Sequence, residues 1–195
     1  MQSVATFFAF ILVLLILGVV TVWFLLIYNV LVKREENVNQ AWAQIQVQFQ
    51  RKLDLIPALL DVVKSYAQHE NQTYKDVAQI RSEAEEMIKS TAQEQVRLSN
   101  EKLEKLIQLQ GVLRSALSKL FALVENYPDL KANENFLTIQ RQLEETEDRI
   151  AKAREIYNQR VRSYNAFLRG FPGNLVGTLL GFSQKAYFET EGGLS

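Results

Sequence analysis

The sequence contains no cysteine, only three prolines and a single histidine among its 195 residues. Without cysteine the chain cannot form a disulfide, a thiolate zinc site or a cysteine nucleophile. A single histidine also excludes the di-iron site of helical bundles, because that site draws a Glu-x-x-His motif from each of two helices. With so little proline and only eight glycines, the chain can form long uninterrupted helices.

Charge is absent from one long stretch. Residues 2–32 contain no Lys, Arg, Asp or Glu, and the first charged side chains are Lys33 and Arg34. A helix needs roughly 20 apolar residues to cross a bilayer core of about 30 Å. Trp23 and Tyr28 lie at the end of the stretch, where aromatic rings favour the membrane interface. We therefore predict a transmembrane anchor over residues 1–32, with these two rings and the two cations at its interface.

A cleavable signal peptide is the alternative for this stretch. Such a peptide has a basic start and an apolar core of about 7–15 residues, whereas this chain begins MQS and its apolar run is longer. We therefore expect an uncleaved anchor. Because Lys33 and Arg34 follow the span, the positive-inside rule predicts that the large domain stays in the cytoplasm and the N-terminus lies outside. No small residue lies four positions from Gly18, so no GxxxG dimer motif is visible.

The remaining composition argues against several function classes. The 22 basic and 22 acidic residues cancel, so no basic surface for nucleic acid is evident. The sequence has no Gly-rich phosphate loop, no HExxH and no serine nucleophile elbow. We expect no cofactor, no metal, no nucleic-acid partner and no small-molecule substrate.

The first helix is expected to extend well beyond the anchor. Apolar residues recur at spacings of three and four from Val38 to Tyr66, which is typical of a helix with one buried stripe. Because no Gly or Pro separates residues 27 and 56, the anchor is predicted to continue as one rod. Pro57 predicts a kink near residues 53–57, where Asp54 is expected to hydrogen-bond with backbone groups that Pro57 frees. The helix is expected to end at residues 68–72.

Two further helices follow. The second is predicted from residue 72 or 73 to about 126 and is ended by Tyr127 and Pro128. The third is predicted to begin after an Asn133 cap and to stop at Pro172. Its apolar residues recur every seven positions, which favours packing of the coiled-coil kind. These residues are Phe136, Leu143, Ile150, Tyr157, Tyr164 and Phe171.

The sequence thus predicts an all-α fold. A single N-terminal transmembrane helix continues into an elongated antiparallel three-helix bundle, followed by a short amphipathic C-terminal segment. The predicted boundaries are 1–32 for the anchor, 33–172 for the bundle and 173–195 for the tail.

Polar residues on the inner side of the third helix are candidates for a structural role. Glu147 falls between apolar positions, and Arg154 is two turns further on, so we expect a buried or half-buried ion pair between them. The dipeptides Tyr157-Asn158 and Tyr164-Asn165 lie seven residues apart. Inward-facing asparagines at that spacing favour a role in helix register over a ligand site.

The tail has one apolar face, for which two interpretations remain open. It either packs onto the bundle or a neighbouring subunit, or forms a short interfacial helix that contacts lipid. The candidate contact residues are Leu175, Val176, Leu179, Leu180 and Phe182.

Several segments together resemble the LemA family. They are YNVLVKREENV, AWAQIQVQFQRKLDLIPALLDVVKSYAQHE, YPDLKANENF and YNQRVRSYNAFLRGFPGNLVGTLLGF, and the resemblance extends from Tyr28 to Phe188. It implies an N-terminally anchored helical-bundle protein of the bacterial inner membrane, with the bundle in the cytoplasm and no established enzymatic activity. The structural or motif residues are Trp42, Asp54, Pro57, Tyr127, Pro128, Glu147, Arg154, Tyr157, Asn158, Tyr164, Asn165, Phe171 and Pro172.

Three functions are compatible with these expectations. We favour a non-enzymatic membrane scaffold that forms homo-oligomers. The second hypothesis is an adaptor or regulatory subunit of another membrane protein, such as a protease or a sensor. The third, an enzyme, lacks any catalytic constellation in the sequence.

Overall fold

The computed structural model describes residues 2–66 and 100–188, together with the single positions 75, 79, 82 and 86. Regular structure in these residues is entirely helical. The helices are α1 (Gln2–Tyr66), α2 (Asn100–Val124), α3 (Pro128–Lys131), α4 (Glu134–Arg169) and α5 (Gly173–Leu180). The predicted all-α class is confirmed for this part of the chain. Three features lie outside it: the predicted end of the first helix at residues 68–72, the predicted start of the second helix, and the single histidine, His69.

Helix α1 is a single element of 65 residues, which confirms the predicted continuity from the apolar run into the following stripe. It continues through Pro57 to Tyr66. Proline removes one backbone donor, but the neighbouring turns keep helical geometry. In the most apolar 18-residue window of α1 only 6% is buried, and the helix is long and apolar enough to cross a membrane.

The chain divides into two compact units. The first unit comprises Met1–Val38 and Arg160–Lys185, and the second comprises Asn39–Gln159 and Ala186–Ser195. The predicted domain boundaries at residues 32 and 172 stay predictions.

The buried apolar side chains of the second unit lie on α1, α2 and α4. They recur at three- and four-residue spacings, so each helix buries one face and leaves the other to solvent. Large apolar side chains with 5% exposure or less in this unit include Ile45, Phe49, Leu53, Ile56, Leu59, Val63, Leu113, Leu117, Leu120, Phe136, Leu143 and Ile150.

Helix α4 begins where the sequence predicts. The Asn133 Oδ1 accepts hydrogen bonds from the backbone N–H groups of Asn135 and Phe136, at 2.9 and 3.1 Å, so Asn133 is the predicted N-cap. The seven-residue series is buried from Phe136 to Tyr164 but fails at Phe171, which is 79% exposed. The reason is that α4 ends at Arg169, after which helical periodicity no longer decides which side chains are buried.

Candidate functional site

The apolar run of α1 contacts the C-terminal segment within the first unit. The ring centroids of Trp23 and Phe171 are 6.2 Å apart, and those of Tyr28 and Phe182 are 6.3 Å apart. The two α1 rings are 38% and 39% exposed. The end of the apolar run is therefore flanked by aromatic rings from two parts of the chain.

Helix α5 packs closely on the end of α4. A Cβ at Gly173 would overlap the carbonyl oxygen of Phe167, and one at Gly177 would overlap a methyl group of Leu168. Gly181 ends α5 in the left-handed conformation, with φ of 72°, which glycine adopts without strain. Gly173 and Gly177 therefore allow α5 to pack closely on α4.

The apolar residues of α5 and the following turn have different surroundings. Val176 is fully buried, whereas Leu175, Leu179 and Leu180 are 50%, 69% and 41% exposed. Phe182 is half-buried. One side of α5 therefore packs on the protein, and the opposite side presents leucines outward.

The two cations after the apolar run differ in their surroundings. Lys33 is exposed. Arg34 is half-buried, and its Nη1 donates to the Ser163 carbonyl at 3.1 Å and to the Ser163 hydroxyl. Its guanidinium carbon also lies 4.8 Å from the centroid of the Phe167 ring. Arg34 is thus held in one position against α4.

Within the first unit, α4 binds the backbone of the tail through Tyr164 and Asn165. The Tyr164 hydroxyl donates to the Ser183 carbonyl at 3.0 Å. The Asn165 amide nitrogen donates to the Lys185 carbonyl at 2.8 Å, and its oxygen accepts from the Lys185 N–H at 2.9 Å. This buried side-chain amide therefore satisfies both backbone groups of one tail residue.

Lys185 also forms a buried ion pair. Its Nζ lies 2.8 Å from Glu35 Oε1, and the two side chains are only 4% and 12% exposed. Neither residue was singled out from the sequence. The two positions are far apart in the chain and no local pattern marks them, so sequence reasoning offered no signal for this pair.

In the second unit, Tyr157 and Asn158 bind the backbone of the tail in the same way. The Tyr157 hydroxyl donates to the Ala186 carbonyl at 2.9 Å. Asn158 donates to the Phe188 carbonyl at 3.1 Å and accepts from its N–H at 2.8 Å. Both asparagine amides therefore bind the backbone of the tail, and the role of the Tyr-Asn dipeptides in helix register stays a prediction.

Burial raises the pKa of the Tyr157 phenol above its ordinary value. The hydroxyl therefore stays protonated and continues to donate to Ala186. The Tyr157 ring also lies 6.0 Å from that of Trp42, a fully packed position on α1.

The predicted ion pair of Glu147 has a different partner. Glu147 Oε1 pairs with the Nζ of Lys52 on α1, and Lys52 is completely buried. The expected partner, Arg154, instead places its guanidinium carbon 4.8 Å from the centroid of the Phe188 ring. Lys52 lies three residues after Phe49 and four before Ile56, so its place on the apolar stripe could have indicated burial.

Arg154 lies at one wall of an open groove of about 490 Å³ in the second unit. Its pKa is lowered by burial; the carboxylate of Glu147 opposes this shift, and the charge of Arg114 adds to it. Ser115 and Lys119 of α2 also line the groove. The charged side chains that line the groove are therefore three cations and the carboxylate of Glu147.

The other motif residues lie on the surface of α1 or at the starts of helices. Asp54 is exposed and accepts a hydrogen bond from Gln50 Nε2 at 2.8 Å, so the expected bond to backbone freed by Pro57 is replaced by a side-chain contact one turn earlier. Tyr127 and Pro128 form the start of α3, and Pro172 precedes α5. Among the described residues, no group of three or more His, Asp or Glu side chains lies close enough to hold a metal ion.

These features define the class of the protein. Its described residues form an all-helical chain with one long apolar N-terminal helix that can serve as a membrane anchor. The chain belongs to the LemA family, whose model matches residues 41–194, and the resemblance in the sequence motifs is thereby confirmed.

Relatives are found among bacterial proteins. Magnetosome protein MamQ 2 of Paramagnetospirillum magneticum is 28% identical over 175 residues, covering 83% of this chain and 64% of the relative. Magnetosome protein MamQ of Magnetospirillum gryphiswaldense is 27% identical over 174 residues, with the same coverages. Protein LemA of Metamycoplasma hominis is 26% identical over 163 residues, covering 83% of this chain and 68% of the relative. The chain thus spans less than two thirds of the MamQ proteins it matches.

Proposed function

We propose that this protein is a non-enzymatic scaffold, anchored in the bacterial inner membrane by the first part of α1 and assembling with copies of itself. The exposed apolar run carries this proposal. Large side chains such as Phe7, Phe10 and Leu15 are 60–62% exposed, and a continuous apolar surface of this kind marks an interaction site rather than a water-facing one. A bilayer buries such a helix on all sides.

Beyond the anchor, the proposed fold is a helical bundle in which α4 runs antiparallel to α1, unlike the predicted antiparallel three-helix bundle, whose first and third helices would be parallel. Its support is the order of contacts between α1 and α4 in the second unit, since positions advancing along α1 meet positions receding along α4. The pairs are Trp42 with Tyr157, Lys52 with Glu147, and Tyr66 with Asn133. The buried stripe of α2 supplies a third face.

Helix α5 is proposed to lie at the membrane interface. The exposed Leu175 and Leu179 belong to the same unit as Trp23, whose ring contacts Phe171. An apolar helix face beside an interfacial tryptophan can bury itself among the lipid headgroups. On this proposal, the tail of the first unit lies against lipid as well as against α4.

Two measurements test the anchor and its orientation. Full-length protein in bacterial membranes should resist extraction by alkaline carbonate, and release into the soluble fraction would contradict the anchor. A reporter fused after Ser195 should show no activity as a phosphatase that requires export and should fluoresce as a cytoplasmic protein. Phosphatase activity would place the bundle on the other side.

Self-assembly is tested by mass measurement in mild detergent. Because the anchor has no GxxxG motif, we expect contacts through the helices of the second unit, where Val47 and Val112 are 63% and 45% exposed. The expected result is a mass corresponding to several copies. A monomer that co-purifies stoichiometrically with a different protein would contradict the scaffold and favour an adaptor.

The adaptor alternative has one specific observation in its favour. The groove beside Arg154 is lined by Arg114 and Lys119 as well as by serine hydroxyls. With Glu147 as the one carboxylate in the lining, the groove keeps an excess of positive charge, which complements an acidic segment of a partner protein. Replacing Arg114 by Glu would weaken such a partner's binding while leaving carbonate resistance unchanged.

A further inference from the structure

A second cavity lies directly beyond the apolar run, within the first unit. Its volume is about 280 Å³, and its lining consists of Val30, Lys33, Arg34, Asn37, Arg160 and Ser163. Three of these six residues are cationic, and the rest comprise an amide, a hydroxyl and an aliphatic side chain. No carboxylate lines the cavity, so its charge is not balanced by its own walls.

The cationic lining has fixed and adaptable parts. Arg34 is held by Ser163 and by the Phe167 ring, whereas Lys33 and Arg160 are exposed and can adjust to an occupant. Of the two acidic residues next in sequence, Glu35 is engaged with Lys185, and the exposed Glu36 does not line the cavity. Like charges around one cavity repel each other, and an anion with several oxygen acceptors relieves that repulsion.

The position of the cavity along α1 indicates the kind of anion. Lys33 follows Tyr28 by five residues, which corresponds to about 7.5 Å of helix at 1.5 Å per residue. The headgroup region adds roughly 5–8 Å on each side of the hydrocarbon core. If Tyr28 marks the edge of the hydrocarbon, the cavity lies at the level of the lipid phosphates.

We propose that this cavity binds the phosphate of an anionic phospholipid headgroup. Arg34 and Arg160 donate N–H groups to the phosphate oxygens, Lys33 adds an ammonium, and the Asn37 amide and Ser163 hydroxyl supply further polar contacts. Basic pockets between helices at the membrane surface recognise anionic headgroups in this way. The inference rests on the membrane anchoring proposed above.

The test uses the full-length protein in mild detergent, to which phosphatidylcholine or phosphatidylglycerol is added and bound lipid is counted by native mass spectrometry. Arg160→Gln removes one exposed cation of the cavity, and Arg160→Lys keeps the charge. Arg162→Gln is the matched control, because Arg162 is exposed on the same helix but does not line the cavity. Lys33 is left unchanged because it also contributes to topology.

We expect the wild type to retain phosphatidylglycerol in preference to phosphatidylcholine. Arg160→Gln should weaken that binding about fivefold, the effect of one basic residue at an anionic membrane surface. Arg160→Lys should restore most of it, and Arg162→Gln should leave it within about twofold, since a charge outside the cavity acts only through the general field.

Three results would overturn the proposal. The first is equal retention of both lipids, and the second is an equal loss in the Arg160→Gln and Arg162→Gln variants, which would indicate general attraction. The third is displacement of the lipid by low concentrations of inorganic phosphate, which would indicate a site for the free ion. Carbonate resistance of the same preparations separates these outcomes from failure of the anchor: a protein that stays in the membrane without lipid preference contradicts the cavity alone.

Discussion

Lys52 is buried and forms an ion pair with Glu147. We predict that replacing one or the other partner of this pair changes the free energy of unfolding by different amounts. The Lys52 side chain is 1% exposed, whereas that of Glu147 is 42% exposed. Replacing Glu147 by Gln leaves an ammonium in the core without its counter-charge. Replacing Lys52 by Met removes the buried charge, keeps most of the volume and leaves a carboxylate that water can reach.

The magnitudes follow from this asymmetry. Removing one partner of a buried pair costs about 3–5 kcal/mol, and the lower end applies here because the Glu147 side is partly solvated. Replacing a buried charge by an apolar side chain of similar volume is often neutral or stabilising. Glu147→Gln should therefore lower the free energy of unfolding by about 3 kcal/mol, or the Tm by roughly 6–12 °C, and Lys52→Met should lower neither appreciably.

The assay is thermal unfolding of the full-length protein in mild detergent, followed by circular dichroism of the helices. Glu145→Gln is the control, since Glu145 is an exposed carboxylate on the same turn of α4. The double variant Lys52→Met/Glu147→Gln should recover most of the lost stability. The reasoning is refuted if Lys52→Met destabilises as much as Glu147→Gln, because the burial of Lys52 would then not be the source of the cost.

Three other predictions concern the contacts of α4 with the tail. Asn165→Ala leaves both backbone groups of Lys185 unpaired, so trypsin should cleave after Lys185 faster than in wild type or in a Gln159→Ala control; an unchanged rate would contradict the hydrogen bonds. Burial raises the pKa of Tyr157 in the folded protein, so at a pH above the ordinary tyrosine pKa of about 10 unfolding releases its proton. The free energy of unfolding should therefore fall as the pH rises above about 10. A Tyr157→Phe variant that loses stability in the same way would show that another group causes the fall. Gly173→Ala should destabilise α5 and increase proteolysis there, whereas Gly18→Ala, where nothing lies within 4 Å, should be silent.

The sequence predicted those features that depend on local pattern. The apolar run and the absence of glycine and proline between residues 27 and 56 were sufficient for α1, since helix continuity depends on the residues of the helix itself. The cap at Asn133 and the seven-residue series of α4 could also be predicted, because both depend on residues that are close together in the sequence. Phe171 shows the limit, since periodicity has no meaning beyond the last residue of a helix.

Partners across the chain were not predictable in the same way. Glu147 was correctly placed on the inner side of α4, yet its partner Lys52 is 95 residues away. Likewise, the two asparagines were recognised as inward-facing, but no pattern indicated that their amides would bind the backbone of Lys185 and Phe188. A backbone acceptor carries no sequence signature, because every residue has one.

The first unit combines two segments that are far apart in the chain, and this affects the order in which it can fold during synthesis. Arg34 and Ser163, which join within that unit, are separated by 129 residues. At about 5–20 residues per second, roughly 6–26 seconds pass between the appearance of the two on the ribosome. On the proposed membrane placement, α1 enters the bilayer long before the end of α4 and the tail exist. Arg34 then lies beside the lipid headgroups before Ser163 has been made, and neither unit can be completed until the tail has been synthesised.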